Sequence, residues 1–253
     1  MPSAVSSSNH APPRTADASP RAPRIGGIVP FTTTDFPGRL AAVLFMQGCP
    51  WRCAYCHNPH LVPAWPDDGA REHDWHGVLR WLGTRRRLLD GVVFSGGEPT
   101  AQAAIVDAVL SVRSLGFETG LHTAGAYPRR LHSLLPHLDW VGLDVKAPRA
   151  GYEAVTGIAG SGIAAFESLE LLLRSGLDHE LRTTVHPVLT PAPALQILAR
   201  ELAARGVTSW VLQRFRASGC DDGEIVAAAP RGATIDAKVV EALRAYVPSI
   251  SVR

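Results

Sequence analysis

The chain is predicted to be an α/β protein built on a parallel sheet. Short apolar runs alternate with stretches of helical periodicity from residue 40 to the C-terminus. Six of those runs stand far enough apart for helical crossovers, which join parallel strands right-handedly. Chemically distinctive residues also recur just after the runs, where an α/β fold gathers its function.

The elements follow in order. Residues 1–24 are rich in Ala, Ser, Pro and Arg and have no apolar run, so they are expected to form a disordered tail ahead of one domain spanning 25–253. Residues 25–31 read as a short strand and 32–38 as a turn. Residues 40–46 (Leu-Ala-Ala-Val-Leu-Phe-Met) read as a strand buried on both faces. A helix is expected over 78–89, a strand over 91–94, and a helix over 101–115 with Ile105, Val109 and Val112 on one face. Then come a strand at 118–122, a helix at 129–135, a strand at 140–145, a helix at 163–174 and a strand at 180–185. Residues 195–204 form a helix carrying Leu195, Leu198 and Leu202, followed by a strand at 209–212, a helix at 235–246 and an edge strand at 250–252. Alternation alone leaves a barrel and a flat doubly wound sheet both open.

Composition narrows the function. With 253 residues and 46% hydrophobic content the chain can bury a full core. A formal net charge of +2 makes no electrostatic case for nucleic acid, and no run approaches membrane-spanning length. The basic run Arg85-Arg86-Arg87 reads as a solvated helix end. No secretory signal core is present, the proline-dense N-terminus lacks an amphipathic helix, and the cysteine usage fits a reducing cytoplasm.

Three of the four cysteines fall within eight residues, Cys49-Pro-Trp-Arg-Cys53-Ala-Tyr-Cys56. Pairing two of them strands the third, so they read as metal ligands and not as a disulfide framework. Zinc would require a fourth ligand, His57 or Cys220. An iron–sulfur cluster held by three thiolates keeps one iron open. Phe94-Ser95-Gly96-Gly97-Glu98-Pro99-Thr100, at the end of a strand, favours the cluster. Its glycines let backbone approach a ligand, Glu98 offers a carboxylate and Pro99 stiffens the exit, a turn for which a zinc ribbon has no use.

Together, Cys49-x3-Cys53-x2-Cys56 and Gly96-Gly97-Glu98-Pro99 resemble the radical S-adenosylmethionine (SAM) superfamily. The resemblance implies a partial (β/α)6 barrel in which Cys49, Cys53 and Cys56 bind a 4Fe-4S cluster. The open iron chelates the methionine end of SAM, the Gly96–Pro99 turn binds its amino group, and the products are methionine and a 5′-deoxyadenosyl radical. Tyr55 occupies the place of a ring near the adenine. Asp144 and Lys146 alternate along a strand and so share a face; they form a plain salt bridge or serve the carboxylate and ribose of SAM. His122-Thr123-Ala124-Gly125 stands where glycyl-radical-enzyme activating proteins have an Asp-Thr-Asn-Gly-like turn. Thr123 is therefore expected at the cofactor, while His122 puts a monovalent-cation site in doubt and reads equally as a hydrogen-bonded core histidine. Arg182 and Arg216 are expected at SAM, at the partner's backbone or in ordinary salt bridges, and Cys220 reads as a spare thiol.

Residues 57–95 contain no cysteine, which argues against auxiliary clusters. The runs Ile25-Gly-Gly-Ile, Asp35-Phe-Pro-Gly-Arg, Cys56-His-Asn-Pro59 and Arg182-Thr-Thr-Val-His-Pro187 look like the anaerobic ribonucleoside-triphosphate reductase activating proteins. That resemblance implies a glycyl-radical enzyme as partner, the anaerobic ribonucleotide reductase, with flavodoxin or ferredoxin as electron donor. Three alternatives stand beside it: a pyruvate formate-lyase activating enzyme, a carboxy-deazaguanine synthase acting on a small molecule, and a zinc or iron–sulfur interaction module without catalysis.

Overall fold

The computed structural model describes residues 22–65, 73–229 and 234–253. Most of the expected N-terminal tail, residues 1–21, lies outside the described residues. Eight strands form one sheet in sequence order: β1 (Ile25–Thr32), β2 (Ala41–Met46), β3 (Gly91–Gly96), β4 (Glu118–Thr123), β5 (Trp140–Asp144), β6 (His179–Val185), β7 (Ser209–Arg214) and β8 (Ser249–Val252). β1 runs antiparallel to β2 and every other neighbouring pair is parallel. A doubly wound sheet reverses its strand order at a switch point. Here the order never reverses and the first and last strands do not pair, so the sheet curls into a partial barrel whose parallel strands β2–β7 are the six expected from sequence.

The helices are α1 (Trp75–Gly83), α2 (Ile105–Ser114), α3 (Pro128–Leu134), α4 (Tyr152–Thr156), α5 (Ser161–Ser175), α6 (Ala192–Ala203), α7 (Gly223–Ala228) and α8 (Ala237–Arg244). α1 starts three residues before the expected 78, because Asp74 caps it by accepting from the Gly77 N–H at 2.8 Å. It ends at Gly83, short of the expected 89, and the chain turns back through Arg87 in the left-handed region (φ 69°). α2 begins at Ile105 and not at 101. Residues Pro99–Ala101 form a separate 3₁₀ turn, and Gln102 is extended so that its amide can bond the Arg24 and Gln47 carbonyls at 2.8 and 2.9 Å. α4 and α7 were not expected, since five or six residues are too short to show periodicity.

Strand alternation sorts the side chains into two layers. Leu44, Val92, Phe94, Leu121, Val141 and Leu143 pack in one buried cluster with helical residues such as Ile105, Val109, Leu131 and Leu169. The opposite alternation places Phe36, Ala41, Val43, Val93 and Trp140 in a second cluster. This second cluster plugs the barrel interior, and higher along the same face of β4, β5 and β6 come His122, Asp144 and Arg182.

A cleft at the open mouth of the sheet

At the carboxyl ends of β2 to β6 lies a cleft of about 150 Å³. Cys49, Cys53, Cys56 and Tyr55 line it from the loop after β2; Ser95 and Gly96 come from β3 and Gly97 just after it, His122 and Thr123 from β4, Asp144 from β5 and Lys146 from just beyond it. Each wall is the continuation of a strand, so the rigid sheet fixes the spacing of loops that carry no regular structure of their own.

The cysteine loop is tied down through its backbone. Gly48 and Cys49 donate to the Leu61 and Val62 carbonyls at 2.8 and 3.0 Å, and Arg52 and Ala54 donate to Thr156 and Val155 at 2.9 and 3.1 Å. The Gln47 amide bridges the His60 and Pro63 carbonyls. Trp51, buried, meets Tyr152 edge-on at 5.9 Å. α4 is thus the platform on which the loop rests.

All three thiols are free and half-buried. Burial pushes the Cys49 thiol up to about 12 and raises those of Cys53 and Cys56. A bound cation inverts that preference, because a coordinating thiol gives up its proton to the metal's field. Among the described residues no three His, Cys, Asp or Glu side chains converge tightly enough for a single metal ion. His57 also lines the cleft, its Nε2 bonded to the Arg216 carbonyl at 2.8 Å. Cys49, Cys53 and Cys56 thus line one cleft, and a cluster held by three thiolates would keep one position open.

The glycine turn is built by close approach. Gly96 has φ +113°, and a Cβ there would stand 2.3 Å from the Met46 nitrogen; at Gly97 it would stand 2.5 Å from the Gly48 carbonyl oxygen. The N–H groups of Gly97 and Glu98 donate to Met46 and Gly48. What the turn can offer a ligand is therefore carbonyl oxygen, the acceptor an ammonium needs.

Glu98 and Pro99 do not line the cleft, contrary to the expected contact with a ligand. The Glu98 carboxylate is fully buried. Its Oε1 accepts from the Thr100 N–H (3.0 Å), the Thr100 hydroxyl (2.6 Å) and the Thr123 hydroxyl (2.6 Å), and its Oε2 from the Ala124 N–H (2.8 Å). Glu98 latches the end of β3 to the end of β4, and the Thr123 hydroxyl serves that latch.

Asp144 accepts from Lys146 Nζ at 3.4 Å and from Arg182 Nε at 3.1 Å. Burial alone would raise its carboxyl, but the two cations outweigh it and hold Asp144 below the usual carboxylate range. Burial likewise works against the Lys146 ammonium, yet Tyr55 and Asp144 keep it well above its ordinary value. Lys146 Nζ sits 5.6 Å from the centre of the Tyr55 ring. The Tyr55 hydroxyl is buried with no hydrogen-bond partner among the described residues, an orphan of the kind a ligand satisfies. His122 proves to be a hydrogen-bonded core histidine at the cleft wall: its Nε2 meets the Asp35 carbonyl at 2.8 Å and its ring packs against Trp140. Burial, with Arg182 nearby, lowers it to about 4, so it is neutral near pH 7.

The structure brings Cys49, Cys53, Cys56, Tyr55, Gly96, Gly97, Thr123, Asp144 and Lys146 together, and does not bring Arg216, whose side chain lines a neighbouring cavity. Sequence reasoning missed Gln47, Arg52 and Tyr152, which position the loop without touching the cleft's chemistry. It also left Arg182 undecided. Gly142 is the signal for Arg182, since a Cβ there would lie 2.7 Å from its Nη2.

The Radical SAM superfamily matches residues 43–200, a span that begins in β2 and ends in α6. The pyruvate formate-lyase-activating enzyme of Clostridium pasteurianum is 33% identical over 173 residues, 66% of this chain and 70% of that protein. A Methanocaldococcus jannaschii protein named for glycyl-radical enzyme activation is 25% identical over 207 residues, 79% of this chain and 83% of its own. Among solved structures, Streptococcus suis SuiB bound to S-adenosylmethionine superposes with a TM-score of 0.59 at 12% identity, over 82% of this chain and 48% of SuiB. This chain thus spans about half the length of SuiB. QueE from Escherichia coli superposes with a TM-score of 0.51 at 16% identity, over 92% of this chain and 94% of QueE. At such identities the two structures share a fold with this chain.

Proposed function

The chain belongs to the radical SAM superfamily, among its glycyl-radical-enzyme activating enzymes, and from that premise we propose that it installs the glycyl radical of an anaerobic ribonucleoside-triphosphate reductase. The observation that carries the proposal is the convergence of Cys49, Cys53 and Cys56, the Gly96-Gly97 turn and the Asp144–Lys146 pair on one cleft at the mouth of an open sheet. The reductase is singled out by the runs around Asp35-Phe-Pro-Gly and Arg182-Thr-Thr-Val-His-Pro187.

The cofactors are a 4Fe-4S cluster and S-adenosylmethionine, and bound together they supply an electron and a 5′-deoxyadenosyl radical able to take a hydrogen atom from a glycine Cα. Cys49, Cys53 and Cys56 hold the cluster. With S-adenosylmethionine bound, the Gly96-Gly97 turn would hold its amino group and Lys146, kept protonated by Asp144, its carboxylate. The Tyr55 ring and hydroxyl border the adenosyl end. Glu98, Thr123 and Arg182 act one step back by fixing the turn and Asp144. β1 and β8 do not pair, and a polypeptide substrate would enter at the open side of the sheet. Flavodoxin or ferredoxin in the cytoplasm supplies the electron. Among the described residues no helix is long and apolar enough to cross a membrane.

A second target, pyruvate formate-lyase, is favoured by the name of the Clostridium pasteurianum relative. The test is anaerobic reconstitution with iron and sulfide, then dithionite, SAM and either purified target, with 5′-deoxyadenosine and the glycyl-radical resonance as readouts. A radical in the reductase supports the proposal. 5′-Deoxyadenosine with a radical only in pyruvate formate-lyase moves the target. A native chain that binds no iron and forms no 5′-deoxyadenosine sinks the proposed activity.

A further inference from the structure

Beside the cleft lies a second cavity of about 660 Å³. Leu195 from α6, Phe215 after β7, Ile235 just before α8 and Val239 in its first turn give it an apolar wall, and Arg214 and Arg216 stand on its lining as exposed cations. Among the described residues neither guanidinium is paired with a carboxylate. Asp236, the acid on the lining, is engaged in capping α8 through the Lys238 N–H at 2.8 Å.

The two cavities share a wall. His57 lines the cleft, and its ring stacks on Phe215 with centroids 5.6 Å apart and planes 22° apart. Phe215 is held edge-on by His186, whose Nε2 donates to the Ile225 carbonyl at 2.9 Å. The partition is therefore fixed from both sides. The His57 and Phe215 ring centroids that separate the two cavities are 5.6 Å apart and an extended chain advances about 3.3 Å per residue, so a polypeptide with one residue over the cleft reaches the larger cavity within a few positions. A volume of this size lies within the range that buries whole ligands, about 300–1,000 Å³, and accommodates an indole with room to spare.

We infer that this cavity receives a large apolar side chain of the substrate polypeptide, with an acidic residue next to it facing Arg214 and Arg216, and so sets which glycine is presented to the cleft. The inference rests on the proposed activity and adds to it a sequence preference around the target glycine. The apolar anchor supplies affinity by leaving water, and the unpaired arginines select charge.

The probe is a set of fluorescein-labelled heptapeptides with a central glycine, carrying Trp two or three positions to either side and Asp beside the Trp. Binding to the reconstituted chain is followed anaerobically by fluorescence anisotropy. At least one Trp/Asp peptide should bind the native chain at least tenfold more tightly than its Trp→Ala and Asp→Lys counterparts. Ala192→Trp, which fills the cavity from the first turn of α6, and Arg214→Glu should each weaken that peptide at least tenfold. Ala192→Ser leaves the cavity open and should bind as the native chain does. Peptide-free formation of 5′-deoxyadenosine under dithionite should be unchanged in all three variants. Equal binding by the Trp/Asp, Ala and Lys peptides, or undiminished binding by Ala192→Trp, overturns the inference. Selective peptide binding by a chain that forms no 5′-deoxyadenosine overturns the proposed activity and leaves the cavity's preference standing.

Discussion

Replacing Glu98 by Gln distinguishes a latch from a ligand contact. The carboxylate accepts four hydrogen bonds from the protein's own donors, three at Oε1 and one at Oε2. A glutamine matches the shape but presents an NH2 to one side. If its oxygen replaces Oε1, the NH2 confronts the Ala124 N–H; if the amide flips, it confronts the Thr100 N–H and both hydroxyls. The milder arrangement loses one charge-assisted bond, about 1.5–3 kcal/mol, and leaves buried donors unsatisfied at about 1–3 kcal/mol. Removing a fully buried charge returns part of its desolvation cost, so a net loss of about 2–4 kcal/mol is expected. The assay is urea unfolding of the cluster-free, reduced chain without SAM, followed by far-ultraviolet circular dichroism. Thr123→Val should couple to Glu98→Gln by more than about 1 kcal/mol in a double-mutant cycle. Unchanged stability within about 0.5 kcal/mol, together with a tenfold loss of SAM affinity, would refute the latch and return Glu98 to the ligand.

Gly96→Ala combines a φ of +113° with a Cβ 2.3 Å from the Met46 nitrogen, and should lower stability by about 2–5 kcal/mol; a thermal midpoint within a degree of native would show that the turn relaxes freely. Tyr55→Phe removes a buried hydroxyl that has no partner among the described residues, so the cluster-free chain should be as stable as native or up to about 2 kcal/mol more stable, and a loss exceeding about 1 kcal/mol would mean the hydroxyl is bonded. His122 is lowered from 6.5 to about 4 by burial, so between those values the unfolded chain binds the extra proton and stability rises with pH. That contribution is complete above pH 6.5 and lost toward pH 4, with a slope approaching about 1.4 kcal/mol per pH unit in the middle of the window; His122→Gln should flatten the profile there, and an unchanged profile would contradict the assignment. Cys220 donates to the Ala54 carbonyl at 3.6 Å and does not line the cleft, so Cys220→Ser should reconstitute with the same iron content as native, whereas Cys53→Ala should lose it.

Motifs whose chemistry depends on near neighbours in the chain could be read directly. Three cysteines in eight residues announce a metal group wherever the fold carries them, and the alternation of apolar runs with helical periods announced parallel strands β2 to β7. Asp144 ends β5 and Lys146 follows two residues on, close enough to pair at 3.4 Å, and that too is local. Helix ends were less legible: α2 starts late because Gln102 bonds the backbone at Arg24 and Gln47, and the partners sit 78 and 55 residues away.

The cysteine loop, the glycine turn and the order of the elements were legible in the sequence, since each depends on spacing along the chain. Packing set how the sheet curls, which protein donors the Glu98 carboxylate meets, the pairing of Arg182 with Asp144, and the place of Arg216 on a second cavity. The physical reason is burial: whether a carboxylate or a guanidinium meets a ligand depends on which distant donors and acceptors satisfy it, and those partners are set by packing between strands rather than by neighbours in sequence.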